Sequence, residues 1–309
     1  MSAPPLVVVC GPTASRKSEL GLGLAEALDG ELVCCDSVQV YRGFRIGSAA
    51  PSDEELGRVP HHLFGVFPAD DPADAGRWAR LADEVIASIR ARGRRPIVVG
   101  GTGLYLRALL HGLAPVPAVS SEVRERLVRE LAEQGKDALF QRLQTVDPEL
   151  AERIEGGAAN TQRVLRGLEV FEASGVTLSA HQAAWQPVPR YDAVLLMPVF
   201  PPEVLNRRID ERVEAMFASG LEDEVRGLLA SGVPPTCRPM ESLGYRQVAA
   251  CLAGELTREE AIDNTRKGHR AYAKRQRTWF KAVEDVVRVD GEAEELVEQA
   301  LAVIQGAAQ

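Results

Sequence analysis

The amino-acid sequence predicts an α/β fold: a parallel sheet of phosphate-loop type flanked by helices, with an all-helical domain inserted into it. Apolar runs of strand length alternate with segments of helical period through the first hundred residues. The first run feeds a glycine-opened loop suited to phosphate. Strand signals then vanish between residues 120 and 181 and return afterwards.

Residues 6–10 form the first apolar run and read as a buried strand. The loop after it, Gly11-Pro12-Thr13-Ala14-Ser15-Arg16-Lys17-Ser18, fits the pattern G-x-x-x-x-G-K-[ST] except that Arg16 stands where glycine is expected. Backbone N–H groups of such a loop converge with a helix N-terminus on one spot, to which Lys17 adds charge and Ser18 a magnesium ligand. That spot suits a di- or triphosphate. Gly11, Thr13, Ala14, Ser15, Arg16, Lys17 and Ser18 are therefore candidate diphosphate-binding residues, and Ser18 is the candidate ligand for Mg2+. Arg16 has two readings: its Cβ obstructs the loop, or its guanidinium points away from the cradle as an additional cation.

Residues 17–28 follow as a helix, 31–35 as a second strand ending at Asp36, 76–92 as a helix, and 96–99 as a third strand running into Gly100-Gly101-Thr102-Gly103. Right-handed crossovers bring the ends of these strands to one edge of the sheet, where functional residues belong. Asp36 is the one carboxylate at the tops of these three strands. It reads as a magnesium ligand, an acceptor that positions substrate, a general base, or a turn cap bonded to its own downstream N–H groups. Helical spacing then takes over, in Val123, Leu127 and Leu131, in Leu139, Leu143 and Val146, and in Val164, Leu168 and Phe171. The insertion is bounded as residues 117–190, which leaves 1–116 and 191–309 as the catalytic core. Its exit is Gln186-Pro187-Val188-Pro189, after which residues 193–197 resume the sheet and helices cover 202–219 and 221–231. Arg208 and Arg212, one helical turn apart, either reach the diphosphate, with Arg212 preferred, or pair at the surface with Asp210, Glu211 or Glu214.

Thr257 and Glu260 form a capping box for a helix that runs to residue 281. Residues 258–281 carry eight basic side chains against three acidic ones. Arg266, Arg270, Lys274, Arg277 and Lys281 recur every three or four residues and stack along one face, with Tyr272, Trp279 and Phe280 interleaved. Such a stripe suits a nucleic-acid backbone, with Arg270 and Lys274 as its candidate contacts; it also describes a solvated helix face.

Composition bounds the rest. An apolar content of 45% over 309 residues supports a well-filled core, and a net charge of -8 argues against nucleic acid until the basic stripe is located. Cys10, Cys34, Cys35, Cys237 and Cys251 show no C-x-x-C spacing and read as reduced core residues, which excludes a zinc site or a disulfide framework. No run of 18 uncharged apolar residues and no charged leader with an apolar signal core is present. The expectation is a cytoplasmic monomer without membrane contact.

In order along the chain, Gly11-Pro12-Thr13-Ala14-Ser15, Asp36-Ser37-Val38-Gln39-Val40-Tyr41-Arg42, Val59-Pro60-His61-His62-Leu63, Gly100-Gly101-Thr102-Gly103-Leu104-Tyr105, Gln162-Arg163 to Arg166, Gly244-Tyr245-Arg246 and Ala273-Lys274-Arg275-Gln276-Arg277-Thr278-Trp279-Phe280 resemble the bacterial tRNA dimethylallyltransferase family over residues 11–280. The resemblance implies transfer of a dimethylallyl group from dimethylallyl diphosphate to the exocyclic N6 amine of the adenosine just 3′ of the anticodon, with magnesium required. It implies that the tRNA anticodon stem-loop is the partner. Asp36, Thr102 and Arg212 are then the candidate catalytic groups, Asp36 accepting the amine proton. Ser37, Val38, Gln39 and Thr102 would contact the target nucleotide. Arg124, Gln162, Arg163 and Arg166 in the insertion, and Gly244, Tyr245 and Arg246 in the core, would touch tRNA. His61 and His62 match a pair in the family; lacking a third ligand, they suit a structural hydrogen bond better than a metal. Extracting a base from the anticodon stack costs about a few kcal/mol, so a channel is expected, with adenine and prenyl diphosphate meeting near Asp36. The alternatives are an adenylate isopentenyltransferase acting on a free nucleotide, a small-molecule P-loop kinase, and a non-catalytic RNA-binding remnant motivated by Arg16. The insertion, Arg124 and the basic helix favour tRNA.

Overall fold

Five consecutive apolar residues leave water on both faces only within a sheet that is covered on both sides. The computed structural model, which describes residues 4–307, places them there. β1 (Leu6–Cys10) is buried throughout and lies inside a six-stranded parallel sheet with β2 (Gly30–Cys34), β3 (His61–His62), β4 (Arg95–Gly100), β5 (Ala193–Val199) and β6 (Val286–Asp290), in the order β3-β2-β4-β1-β5-β6. Cys10 is in register with Gly100, and Cys34 with Val99. The loops that leave β1, β2 and β4 therefore emerge side by side at the carboxyl edge.

Helices cover both faces: α1 (Lys17–Ala27), α2 (Asp53–Arg58), α3 (Ala75–Ala91) and α4 (Gly103–His111) lie in the first part of the chain. α5 (Ser121–Val146), α6 (Pro148–Arg153), α7 (Thr161–Ser174) and α8 (Leu178–Ala184) make up the insertion. α9 (Pro202–Ala218), α10 (Leu221–Ala230), α11 (Tyr245–Leu252), α12 (Arg258–Lys281) and α13 (Leu296–Ala307) complete the chain. Alternation along β1 sends Leu6, Val8 and Cys10 into a core layer with Trp78 and Ile86 of α3 and Leu106 and Leu109 of α4. Val7 and Val9 face the opposite layer, built with Leu20 and Leu24 of α1 and Ala300 and Ile304 of α13. Gly21 lets α1 sit close to the sheet, since a Cβ there would lie 2.5 Å from Val99 Cγ2. At the start of α3, Asp74 caps the helix by accepting from the Arg77 N–H at 2.8 Å, and the Trp78 indole donates to the Cys34 carbonyl at 3.0 Å. That bond pins α3 to the end of β2.

The structure departs from the sequence expectation at several places. β2 and β4 begin one residue earlier than expected, and β5 runs on to Val199. α4 starts at Gly103, where only a turn was expected. β3, β6 and α13 were not anticipated. In β6 Val286 and Val289 are buried while Val287 and Arg288 are exposed, a pattern without the period of two; pairing with β5 supplies the regularity that the side chains lack.

The chain divides into two compact units, Gly112–Val188 and the remainder, so the boundaries lie a few residues before the expected 117 and 190. The smaller unit has its own core of Leu127, Leu139, Leu143, Val164 and Leu168, all marked by helical spacing, together with Leu150 and Ile154, which were not. Ser120 caps α5, and Gly135 (φ 82°, ψ 166°) breaks it. Asp147 is buried yet satisfied: Oδ1 accepts from the Leu150 N–H and the Ser179 hydroxyl, and Oδ2 from the Ser179 N–H. Among the described residues no helix is long and apolar enough to cross a membrane.

The close approach of β2 and β4 at their carboxyl ends predicts an asymmetry between two glycines. A Cβ on Gly100 would lie 1.9 Å from the Cys35 carbonyl oxygen, whereas one on Gly57 in α2 would meet nothing within 4 Å. Gly100→Ala is expected to lose about 3 kcal/mol of stability, and Gly57→Ala to change it by less than about 1 kcal/mol. Urea midpoints at constant m-value measure both.

Candidate active site

The turn between β1 and α1 leaves the sheet at Gly11, whose φ of 127° and proximity to Met197 (2.9 Å from an added Cβ) both call for glycine. Two further loop residues, Ala14 (φ 62°) and Arg16 (φ 61°), are left-handed although they are not glycine. This explains the pattern's usual glycine at position 16, since the conformation costs a side-chain-bearing residue about 1–2 kcal/mol. Arg16 offsets that cost away from the cradle. Its Nη1 donates to the carbonyls of Gly291 (2.8 Å) and Ala293 (3.0 Å), and its Nε donates to Glu19 (2.9 Å). Of the two readings of Arg16, the outward one holds, and its guanidinium is not a phosphate ligand in this arrangement.

Thr13, Lys17 and Ser18 line a pocket of about 420 Å³ at the carboxyl edge, together with Asp36, Ser37, Val38, Gln39, Arg212, Arg246, His269, Tyr272 and Gln276. Lys17 Nζ donates to the Pro12 carbonyl at 2.5 Å. Burial, followed by the charge of Arg212, lowers its pKa to about 8 against the pull of Asp36. The remaining loop candidates are internal. Ser15 is buried with its hydroxyl on the Pro12 carbonyl, and the Thr13 N–H is taken by Gln276 Oε1 at 2.8 Å. Neither group is available to a phosphate. Gln276 Nε2 donates in turn to the Gly101 carbonyl at 2.9 Å, so α12 joins the loops that leave β1 and β4.

Asp36 takes the turn-cap reading, and its side chain also lines the pocket. Oδ1 caps the turn by accepting from the N–H groups of Val38 (2.8 Å) and Gln39 (3.2 Å), which leaves Oδ2 for the pocket. Thr102 does not line the pocket: its hydroxyl accepts from the Ser37 N–H at 3.1 Å, while nearby Tyr272 does line it and is kept protonated by burial and the charge of Asp36. Gln39 is a correction, because its amide donates to the carbonyls of Ser48 and Ala49 and is spent on shaping the wall. Arg212 lines the pocket. Its Nη2 donates weakly to the Ser48 carbonyl (3.4 Å), and its Nε has no hydrogen-bond partner among the described residues. His269 was missed by sequence reasoning. Its Nε2 is likewise unpartnered, and burial plus the charge of Arg212 lower its pKa to about 4, so it is neutral. Arg208 corrects both of its readings: it neither lines the pocket nor pairs with an acid, but donates from Nε to the Ala14 carbonyl at 3.0 Å with its guanidinium over the Phe200 ring.

No group of three His, Cys, Asp or Glu side chains among the described residues makes a metal cage. The site fits magnesium nonetheless. That ion keeps water and phosphate oxygens as most of its ligands, and Ser18 is exposed on the pocket beside Asp36. His62 Nε2 meets Glu31 (2.6 Å), a structural bond, whereas His61, whose Nδ1 meets the Val59 carbonyl (2.9 Å), also lines the pocket.

With this geometry in place, the comparisons with known proteins are decisive. The sequence pattern described as IPP transferase matches residues 39–283. The chain belongs to the IPP transferase family. It is 45% identical over 288 residues to the tRNA dimethylallyltransferase of Desulfosudis oleivorans, covering 93% of this chain and 91% of that one. It is 48% identical over 278 residues to the tRNA dimethylallyltransferase of Anaeromyxobacter dehalogenans, covering 89% and 90%. The tRNA isopentenylpyrophosphate transferase of Bacillus halodurans superposes with a TM-score of 0.71 at 32% identity, covering 99% and 98%.

The IPP transferase reading directs attention to the residues offered to RNA. Gly244 and Tyr245 are corrections, since both are buried and the Tyr245 hydroxyl donates to Glu224 at 2.6 Å; only Arg246 of that motif presents a side chain to the pocket. In the insertion Gln162 and Arg163 are exposed, while Arg124 (3.6 Å) and Arg166 (3.4 Å) converge on the buried Glu169. On α12 the stripe is partly neutralised: Arg270 pairs with Asp210, Arg266 with Glu214 and Arg258 with Glu222. Arg270 is thus already engaged. Lys274, Arg277 and Lys281 line a second groove of about 440 Å³ without such partners among the described residues.

The position of Gln276 makes it a lever on the whole site. Gln276→Leu strands the buried Thr13 N–H and Gly101 carbonyl and is expected to cost about 2–5 kcal/mol. Urea unfolding reads the loss; a variant within about 0.5 kcal/mol of wild type would show that water replaces the amide.

Proposed function

We infer that the chain transfers a dimethylallyl group from dimethylallyl diphosphate to N6 of the adenosine 3′-adjacent to the anticodon in tRNA, releasing diphosphate. The observation that carries this reading is one pocket that holds Lys17 and Arg212 for an anion and the Oδ2 of Asp36 for a proton. Relatives named tRNA dimethylallyltransferase match along nine-tenths of their length, which supports the choice of reaction and of tRNA.

In this reading the N6 lone pair attacks the allylic carbon, the carbon–oxygen bond breaks, and its electron pair leaves on the diphosphate. Lys17 and Arg212 neutralise the charge that develops there. The N6 proton passes to Asp36 Oδ2, while the capped Oδ1 keeps the carboxylate in place. Thr102 fixes the Ser37 turn against which the base rests, and Tyr272 lines the pocket. Magnesium, held by Ser18 and diphosphate oxygens, would supply further positive charge to the leaving group. Lys274, Arg277 and Lys281 are the cations offered to the RNA backbone. Five free cysteines suit the reducing cytoplasm, and the reading takes the enzyme to act as a monomer.

The test is incubation with labelled dimethylallyl diphosphate, magnesium and either unmodified tRNA or adenosine monophosphate. Label on N6 of adenosine in digested tRNA is expected, and labelling of the free nucleotide alone would overturn the reading. Asp36→Asn keeps the Oδ1 cap and loses the proton acceptor. Its single-turnover rate should fall about 10²- to 10⁴-fold with tRNA affinity within about threefold; an unchanged rate removes Asp36 from the chemistry.

Lys17 adds a pH dependence with a definite sign. Below its pKa of about 8 the ammonium is charged before the diphosphate arrives, and above it the free site must first take up a proton. The dissociation constant for dimethylallyl diphosphate should be nearly flat from pH 7 to 8 and rise by up to about tenfold per pH unit above that. Calorimetry across pH 7–10 checks it, and Lys17→Met should abolish the rise.

A further inference from the structure

The two left-handed residues of the phosphate loop are each held from outside the cradle. The Ala14 carbonyl accepts from Arg208 Nε, and the Arg16 guanidinium spans the carbonyls of Gly291 and Ala293. These two anchors are themselves joined. The Arg208 guanidinium lies 5.0 Å from the centroid of the Phe200 ring, and that ring packs so closely on Gly291 that a Cβ there would lie 2.2 Å from it. The turn after β6 is stiffened by its own bonds: the Gly291 N–H donates to the Val199 carbonyl and the Glu292 N–H to Asp290 Oδ1. Behind it α13 packs on α1, where Val297 occupies the space a Cβ on Gly23 would need. A closed ring of contacts thus runs from Ala14 through Arg208, Phe200 and Gly291 to Arg16.

We propose that Arg16 is a positioning residue of a brace that couples occupancy of the phosphate loop to the turn following β6. A loop with a glycine at position 16 could take the left-handed conformation unaided but would have no side chain to reach that turn. In this chain the conformation is held by the Gly291 and Ala293 carbonyls, so whatever steadies the loop steadies residues 290–297, and the converse follows by reciprocity. The device rests on the diphosphate reading of the loop given above. It uses no group that touches the substrate, because Arg16 points away from the pocket and acts through the backbone of the loop.

The test is amide hydrogen exchange on the full chain with and without dimethylallyl diphosphate and magnesium, in the absence of tRNA so that no turnover occurs, alongside calorimetric affinities. In wild type, saturating ligand should slow exchange at residues 290–297 by about fivefold or more. In Arg16→Gly, which is at ease in the left-handed region and should fold, that protection should vanish and the ligand should bind about tenfold more weakly, with tRNA affinity within about twofold. Arg16→Lys retains a cation but cannot span two carbonyls and Glu19 together, and should fall between. Wild-type binding without protection at 290–297, or an Arg16→Gly protein that binds and protects as wild type does, overturns the brace. A wild-type protein that does not bind dimethylallyl diphosphate overturns the diphosphate reading itself, and the brace falls with it.

Discussion

The side-chain amide of Gln276 is the contact on which the site depends. It is buried, accepts from the Thr13 N–H and donates to the Gly101 carbonyl. One planar group thereby satisfies two main-chain groups that would otherwise be buried and unpaired, and it does so at the point where the loops from β1 and β4 meet. The neighbouring glycines are consequences of that closeness. A Cβ on Gly101 would lie 2.3 Å from Gln276 Nε2, and one on Gly103 would strike the Trp279 ring at 2.5 Å. The basic helix is held against the sheet by the same bond that sets the phosphate loop, so the loop and the helix share one geometry.

In the proposed reading the pocket is an anion site assembled ahead of its anion. Lys17 and Arg212 are close enough for the charge of Arg212 to lower the pKa of Lys17, an unfavourable arrangement that a bound diphosphate would relieve. His269, buried and beside the same charge, remains neutral. Asp36 provides the counterweight, its charge stabilising Lys17 and Arg212 alike. Such a site needs little reorganisation when charge develops on a leaving group, which is the condition for electrostatic stabilisation to be effective.

The acidic total of the chain and the anionic partner proposed for it are reconciled by position. Asp210, Glu214 and Glu222 on α9 and α10 meet Arg270, Arg266 and Arg258, so three of the basic helix's eight cations are occupied in holding the helices together. Of the cations without acidic partners among the described residues, Lys274, Arg277 and Lys281 lie towards its C-terminal end beside Leu205 and Asn206, and Arg275 lines the main pocket. Charge counted along a sequence overstates what a nucleic acid meets, because an ion pair formed within the protein must be exchanged rather than simply gained.

The sequence alone determined the α/β class, the phosphate loop, Asp36 at the end of the second strand and the helical insertion, because each is a local signal. A buried parallel strand must be continuously apolar, a helix must repeat its apolar face every three or four residues, and a phosphate turn needs its residues in one short run. Only the tertiary structure decided where Arg16, Arg208, Gln276 and His269 act. Arg16 meets carbonyls 275 residues later, and Gln276 meets a loop amide 263 residues earlier. Neither spacing leaves a period or a motif to read. Tyr245 makes the same point in reverse: it sits in an exposed-looking motif yet is buried against Glu224 and Phe44. The fate of a polar or aromatic side chain depends on which distant backbone or side-chain group it meets when the sheet closes, and that is a property of packing in three dimensions rather than of order along the chain.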